Sequence, residues 1–527
     1  MRTTAVAAPA APATTAKRRG DTRRVYHTGS ALTTVASRGG RNYGRSAVGL
    51  PRIGVIAAAG PGRRVHPRSA RVPKVMLEVG GKPLLTRNLE LLRDALGVRH
   101  ICIIVGHLAE RIRQAYGDGS RLGVTLEYLE NPQVDGGLGT ALWVVEQRVQ
   151  EPFVLLLGDE LYLESNHAAL AGLDTPYTAV CALHPTEDLD EIRKNYAVEL
   201  ANGRITTLVE KPEAALTPYA GCGTYLFTPD IYRDAHDTPL SLRTGRLELT
   251  DVIDHAARRG AAVLPFVLSG HYLNVNTIED LNGANFLCRS LEFARRRVSL
   301  VIPAYNEAAA IGHVLRDFRD HVDEIVVADN CSADGTAALA RELGATVHSR
   351  PFRGYGDALR QGMEAASGDI LVLVEADATF RAKDLGKLLE YLKDADMVIG
   401  TRTTRQMIEQ GANMAGWLRW GNVAVAKLIE ALWWGSEPRF TDVGCTYRAI
   451  WRDAYLKIRD YLTRDDAAFS PEMMIEMLRV EGRVIEVPVS YYRRRGGVSK
   501  HSASGWKSLR TGFRMLGLIL RKRLNLS

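Results

Sequence analysis

Two clusters of residues in this chain have the types and spacing to handle phosphate. In the first, the apolar run 53–59, which includes Ala58, breaks into Gly60-Pro61-Gly62-Arg63-Arg64, and Pro73-Lys74 follows. Glycines after a strand let backbone N–H groups approach phosphate oxygens with no Cβ in the way. Arg64 and Lys74 can then neutralise a triphosphate and its leaving pyrophosphate. A Gly-rich turn alone is as often an ordinary loop.

In the second cluster, the runs 298–302, 324–328 and 370–374 lead respectively into Pro303-Ala304-Tyr305-Asn306-Glu307, Asp329, and Glu375-Ala376-Asp377. An Asp closing a strand lies where open α/β sheets bind their ligands. Paired acids at such a place are costly unless they meet a cation, so a divalent metal for a diphosphate is the natural reading. Asp334-Gly335-Thr336 also reads as a simple helix cap.

Positioning these groups requires strands that end together. Short apolar runs at 53–59, 100–105, 153–157 and 177–183 alternate with helical stretches such as 84–96, and the pattern restarts near residue 298. Such alternation predicts parallel βαβ units, here in two series. The expected organisation is a disordered basic arm over 1–50, an α/β domain over 51–287, a helical linker over 288–297, a second α/β domain over 298–502 and a basic amphipathic tail over 503–527.

A chain of 527 residues fits two or three domains. Six scattered cysteines with no CxxC pair fit reduced thiols rather than disulfides or zinc. Residues 1–50 hold nine Lys/Arg against one acid, Asp21, which accounts for the whole net charge of +8. Ten further basic residues follow Tyr492 with no acid, so the body of the chain is net acidic. A nucleic-acid enzyme would carry its basic face on that body, so nucleic acid is excluded as a partner.

The string AAAGPGRRVHPRSARVPKVMLEVGGKPLL resembles the signature of sugar-phosphate nucleotidyltransferases. Gly139-Thr140-Ala141, Leu157-Gly158-Asp159, Glu210-Lys211-Pro212, Gly223-Thr224-Tyr225, Glu248-Leu249-Thr250-Asp251 and Asn274-Val275-Asn276-Thr277 follow in the family's order. The resemblance implies that Gly139 and Thr140 contact the base, that Glu210 and Lys211 contact the sugar and its phosphate, and that Asp159 with Asn274 or Asn276 holds Mg²⁺ or Mn²⁺. It further implies NTP and sugar 1-phosphate as substrates and NDP-sugar as product, through in-line attack by an anionic phosphate that needs no base. Arg63 replaces the family's Thr or Ser, and Asn stands where many members have a second Asp.

The second series resembles family 2 glycosyltransferases of the GT-A fold, most closely the polyprenyl-phosphate sugar synthases. In that resemblance Asp329 contacts the nucleotide, and Glu375-Ala376-Asp377 is the metal-binding Asp-x-Asp motif with Glu375 departing from it. Gly354 and Gly356 fit the preceding loop, Arg402 the following strand, and the segment from Asp442 to Arg448 the acceptor side. Arg494, Gly497, Ser499 and Lys500 fit a closing phosphate clamp.

The expected fold class is therefore α/β, with two Rossmann-like mixed-sheet domains: a nucleotidyltransferase fold, then a GT-A fold. The expected activity is synthesis of an NDP-sugar followed by glycosyl transfer to a polyprenyl phosphate. A soluble acceptor, or one domain serving only for binding, stands as the alternative. A lipid phosphate needs no base, whereas a hydroxyl acceptor would draw on Asp442. Trp506, Leu509, Phe513, Leu516 and Leu520 form one helical stripe beside basic residues. That stripe either meets an anionic bilayer, placing a cytoplasmic enzyme on the inner membrane face, or packs on the domain.

Overall fold

The computed structural model describes residues 50–65, 68–214, 216–410, 412, 416–436, 438–495 and 505–524. The basic arm and the Gly497, Ser499 and Lys500 segment therefore lie outside the described residues, apart from Leu50.

The first half contains β1 (Ile53–Ala57), β2 (His100–Val105), β3 (Thr125–Glu130), helix α1 (Thr140–Glu146) and β4 (Phe153–Leu157). It continues with β5 (Glu160–Leu163), β6 (Ala179–Pro185), β7 (Tyr196–Ala201), β8 (Arg204–Glu210), β9 (Tyr219–Phe227), β10 (Val263–Val267) and β11 (His271–Asn274). Seven of these strands form a sheet in the order β10-β6-β9-β4-β1-β2-β3, with β9 running against its neighbours. The near-continuous apolar sequences of β1, β2 and β4 suit strands covered on both faces. The first strand stops at Ala57 because the chain then turns into the glycine loop, and the stretch 84–96 is regular helix only to Glu90 before a π-turn over Leu91–Ala95.

Helix α2 (Ile278–Glu292) closes this half. Thr277 and Asp280 cap it reciprocally, each side chain bonding the other's backbone N–H. The expected linker over 288–297 is thus mostly the last turns of a longer helix, followed by a 3₁₀ turn at Phe293–Arg295. At this junction Arg289 donates to Ala395 O at 2.8 Å and to Asp396 at 2.5 Å and lies over Trp451, while Lys457 pairs with Glu78. The halves abut through charge pairs and aromatic contact rather than hanging on a loose tether.

The second half repeats the scheme with β12 (Val298–Ala304), β13 (Glu324–Asp329), β14 (Thr346–Ser349), β15 (Ile370–Leu373), β16 (Met397–Thr401), β17 (Arg448–Trp451) and β18 (Val484–Pro488). Their order is β14-β13-β12-β15-β17-β16-β18, with β17 antiparallel to β15 and β16. Among its helices are α3 (Gly416–Leu432), α4 (Phe469–Arg479) and α5 (Gly505–Arg523), with α5 packing against both others.

The tail departs from the expected single stripe. Trp506 and Leu509 of that stripe lie outside the described side chains; among the described ones Met515, Leu518 and Ile519 are buried, while Phe513 and Leu520 point outward, 65% and 50% exposed. A 3.6-residue period places these sets on different faces, so α5 is apolar on two sides. Lys522, on the packed side, reaches Glu472 at 3.1 Å and Glu476 at 2.7 Å, both buried.

Candidate active sites

In the first half, strand ends and loops converge on Lys74. Its ammonium meets the Asp159 carboxylate and donates to Asn276 Oδ1 at 2.9 Å, and Arg64 donates to the same oxygen at 2.7 Å. Gly62, at φ +61°, makes this possible: a Cβ there would lie 2.9 Å from Lys74 Cβ. Asp159 is placed by Gly158, whose N–H bonds Ala57 O, and its own carbonyl accepts from Val275 N at 3.0 Å. That bond ties the Asn274–Asn276 segment to the end of β4.

With both cations on Asn276 Oδ1, its amide group must donate outward. It bonds Asn274 Oδ1 at 2.6 Å, Asn274 Nδ2 bonds Asn195 Oδ1 at 3.2 Å, and Asn195 Nδ2 ends on Glu191 O at 3.1 Å. Tyr272 donates to Glu160 at 2.9 Å beside this chain, and Tyr162 and Gly223 N also donate to that carboxylate. Burial pushes the Glu160 carboxyl up to about 7, against those hydrogen bonds and with help from the Asp159 charge. Glu160, Asn195 and Tyr272 were not singled out from sequence; adjacency to Asp159 was the one available signal, and only for Glu160.

Arg64, Glu160, Asn195, Glu210, Lys211, Gly223, Asn274 and Asn276 line one cavity of about 150 Å³. Glu210 accepts from Thr250 at 3.2 Å, and burial raises its carboxyl. A Cβ on Gly223 would sit 2.4 Å from Leu157, so the cavity wall there has room for glycine alone. Gly60 faces open space, and Ala58 is buried beneath it. Gly139 and Thr140 stand apart in role. Gly139 N bonds Leu247 O at 2.8 Å, and the Thr140 hydroxyl bonds Gly137 O at 2.7 Å, so these groups brace the loop through their own hydrogen bonds.

In the second half, Asp329 ends β13 wholly buried, accepting from Ser332 N and from Ser349 Oγ at 2.5 Å. Pro303 lies within β12, pairing in register with Ala328, and exposed Tyr305 follows the strand. Asp334 accepts from Thr336 N, Thr336 Oγ1 and Ala308 N, so it ties together the first residues of two helices, with Gly335 rather than Asp334 at the N-cap of the second. Gly356 is required by packing, since a Cβ would meet Arg464 O at 2.2 Å.

Glu375 and Asp377 flank Ala376 after β15; Ala376 and Asp377 are buried and Glu375 is half-buried. Thr446 donates to Glu375 at 2.8 Å and exchanges a 2.5 Å hydrogen bond with Tyr355, while Thr379 donates to Asp377. Arg494 bridges Asp377, at 3.4 Å, and Glu307. Burial, then the neighbouring Asp377 charge, pushes the Glu375 carboxyl up to about 7. Two acids of like charge, one buried and one half-buried, fit a cation site. Asp159, Asn274 and Asn276 likewise offer only oxygen donors, the set that Mg²⁺ or Mn²⁺ takes.

Two site residues expected from sequence occupy structural positions instead. Arg448 is buried and donates to the carbonyls of Cys445, Val443 and Ser470, so its guanidinium has no face toward a substrate. Asp442 is fully buried in a bidentate pair with Arg402, at 2.8 and 2.9 Å, and also accepts from Gly444 N. Burial alone would raise its carboxyl, but the Arg402 charge and hydrogen bonds outweigh that and hold it low. A carboxylate so held is a poor general base.

The raised Glu375 gives a pH dependence with a definite sign. An acid whose folded pKa exceeds its unfolded value stabilises the fold less as pH rises. Without divalent cation, Tm should therefore fall as pH climbs from 4.5 toward about 7, and Mg²⁺ should offset the fall by favouring the ionised pair. Glu160 and Glu486, also raised to about 7, act with the same sign, and the three glutamates together outweigh His167, which burial lowers to about 4 and which acts in the opposite sense over that interval. Thermal melts across that interval with and without Mg²⁺ check this, and a Tm that rises with pH in metal-free buffer would refute it.

Comparison with known proteins agrees with this geometry. The nucleotidyl transferase model matches residues 53–288, and the glycosyl transferase family 2 model matches residues 299–448. The UTP–glucose-1-phosphate uridylyltransferase AglF of Haloferax volcanii is 35% identical over 44% of this chain and 93% of its own length. The undecaprenyl-phosphate mannosyltransferase of Micrococcus luteus is 30% identical over 39% of this chain and 88% of its own length. The chain belongs to the nucleotidyl transferase family in its first half and to glycosyl transferase family 2 in its second. It is thus a transferase with a nucleotide-sugar synthesis domain and a GT-A glycosyltransferase domain. Glycosyltransferase AglJ of Haloferax volcanii is 32% identical over 38% of this chain, which spans 64% of that enzyme's length.

Proposed function

We propose that the two domains act in sequence: the first transfers NMP from an NTP to a sugar 1-phosphate, and the second passes the glycosyl group of the NDP-sugar to a polyprenyl phosphate. The observation that carries the first step is the meeting of Arg64, Lys74, Asp159 and Asn276, two of which, Arg64 and Asn276, line the cavity. Arg64 and Lys74 neutralise the NTP and hold the departing pyrophosphate, and Asn276 sets the two cations at a fixed separation. Glu210 and Lys211 receive the sugar 1-phosphate. In the second domain Asp329 orients the nucleotide and Arg494 holds phosphate beside Glu307 and Asp377. A Mg²⁺ held by Asp159 with the Asn pair, and another by Glu375 and Asp377, would supply charge neutralisation at the reacting phosphates. The division into units at 51–287 and 298–502 is part of this proposal.

The test is pyrophosphate release with Mg²⁺ from a matrix of four NTPs and several sugar 1-phosphates, beginning with UTP and glucose 1-phosphate because AglF bears that name. The NDP-sugar formed is then offered with polyprenyl phosphate or a soluble alcohol. Release with one pair and product only with the lipid phosphate supports both steps. Release with no pair overturns the first, and product only with the alcohol overturns the second.

We further propose a peripheral place on the membrane. Among the described residues no helix is long and apolar enough to cross a bilayer. Trp420 and Trp434, 68% and 69% exposed, lie on and just after α3, and Phe513, Leu520 and Leu524 are exposed on and after α5. Arg521 and Arg523 lie in the last turn of α5, while Lys522 there is turned inward to Glu472 and Glu476. Phe513→Ser with Leu520→Ser should weaken sedimentation with anionic vesicles about tenfold and leave pyrophosphate release intact. Unchanged sedimentation would refute the membrane assignment.

A further inference from the structure

We propose that His100, Cys102 and Glu127 form a zinc site at the edge of the first sheet opposite its catalytic loops. Residues two apart on a strand share a face, so His100 and Cys102 project together from β2. The parallel register sets Glu127 of β3 level with Cys102, which closes the triangle. One ligand atom from each residue lies within 4.8 Å of the other two, and His100 Nε2 stands 3.7 Å from Glu127 Oε2. Tetrahedral zinc with bonds of about 2.0–2.3 Å needs donors roughly 3.5 Å apart, so small side-chain adjustments complete the set.

The surroundings favour that use. Arg148, two residues beyond α1, donates to the other Glu127 oxygen at 2.5 Å and leaves Oε2 turned toward His100. Such an outer contact orients a ligating carboxylate. Cys102 is 1% exposed and His100 is exposed, so the thiol forms the protected floor and the imidazole the entrance. On binding, the metal–sulfur bond forms as the S–H bond breaks and the proton passes to solvent. Sulfur and imidazole together select zinc over magnesium, which separates this position chemically from both oxygen-lined sites. Zinc here would join β3, the edge strand of the sheet, to β2.

The test uses the full chain freed of metal by chelation and titrated with Co²⁺. A sulfur-to-cobalt charge-transfer band should grow to one equivalent and vanish on addition of Zn²⁺. Cys102→Ser should remove it, and His100→Ala, at an exposed position that spares the fold, should weaken Co²⁺ binding at least tenfold. Zn²⁺ should raise Tm in the parent chain and not in Cys102→Ser. Absence of the band, its persistence in Cys102→Ser, or undiminished affinity in His100→Ala would each overturn the site. Persistence would move the thiolate elsewhere, with exposed Cys331 the first place to look.

Discussion

Asp159→Ala will lower pyrophosphate release about 10³-fold or more while leaving glycosyl transfer from supplied NDP-sugar unchanged. The carboxylate is the anionic partner of Lys74 and, in the proposed site, the charged oxygen that would hold the ion beside Asn274 and Asn276. Its loss would remove the proposed metal ligand and leave the Lys74 ammonium with Asn276 alone, and losses of this kind at phosphate and oxyanion sites cost about 10²–10³ or more. The fold should survive, because the local backbone bonds, Gly158 N to Ala57 O and Val275 N to Asp159 O, do not involve the side chain. The readouts are pyrophosphate release and a separate transfer assay with preformed donor. Release within tenfold of the parent would show that Asp159 does not hold the ion. Loss of both activities would show that the substitution acts through the fold.

Asp442→Ala will destabilise the second domain by about 3–5 kcal/mol, because it strands the Arg402 guanidinium in the interior. At 2–4 °C per kcal/mol for a domain of this size, Tm should drop by about 10 °C. Replacing both partners together, as in Arg402→Met with Asp442→Leu, should recover much of that loss, since no buried charge is then left unpaired. A general base would behave differently: Asp442→Asn would keep its Tm and lose only turnover. Thermal melts of the single and double variants separate the two roles, and an unshifted Tm in Asp442→Ala would reinstate Asp442 as a candidate base.

The strand-end acids and glycine turns were legible in the sequence because each is local. Asp159, Asp329 and Asp377 all lie at the ends of apolar runs, and the folded chain sets them beside Lys74, Ser349 and Arg494 respectively. What stayed hidden depends on partners far apart in sequence. Nothing near Asn195 marks it as a bridge to Asn274, 79 residues away, and Arg448 reads like a phosphate ligand until its three carbonyl partners are seen. The tail misled for another reason. A helix with two apolar faces shows the same periodicity whichever face packs, and only the Glu472 and Glu476 carboxylates, received by Lys522, decide between them.

That last contact governs how the end of the chain can be manipulated. Trimming away α5 would take Lys522 from two glutamates that are 0% and 1% exposed and open the apolar bed of Met515, Leu518 and Ile519. The shortened protein would fail through its interior, and its failure would mimic loss of a membrane anchor. The helix is a rivet as well as a contact surface, so its outward face has to be altered residue by residue while the rivet stays in place.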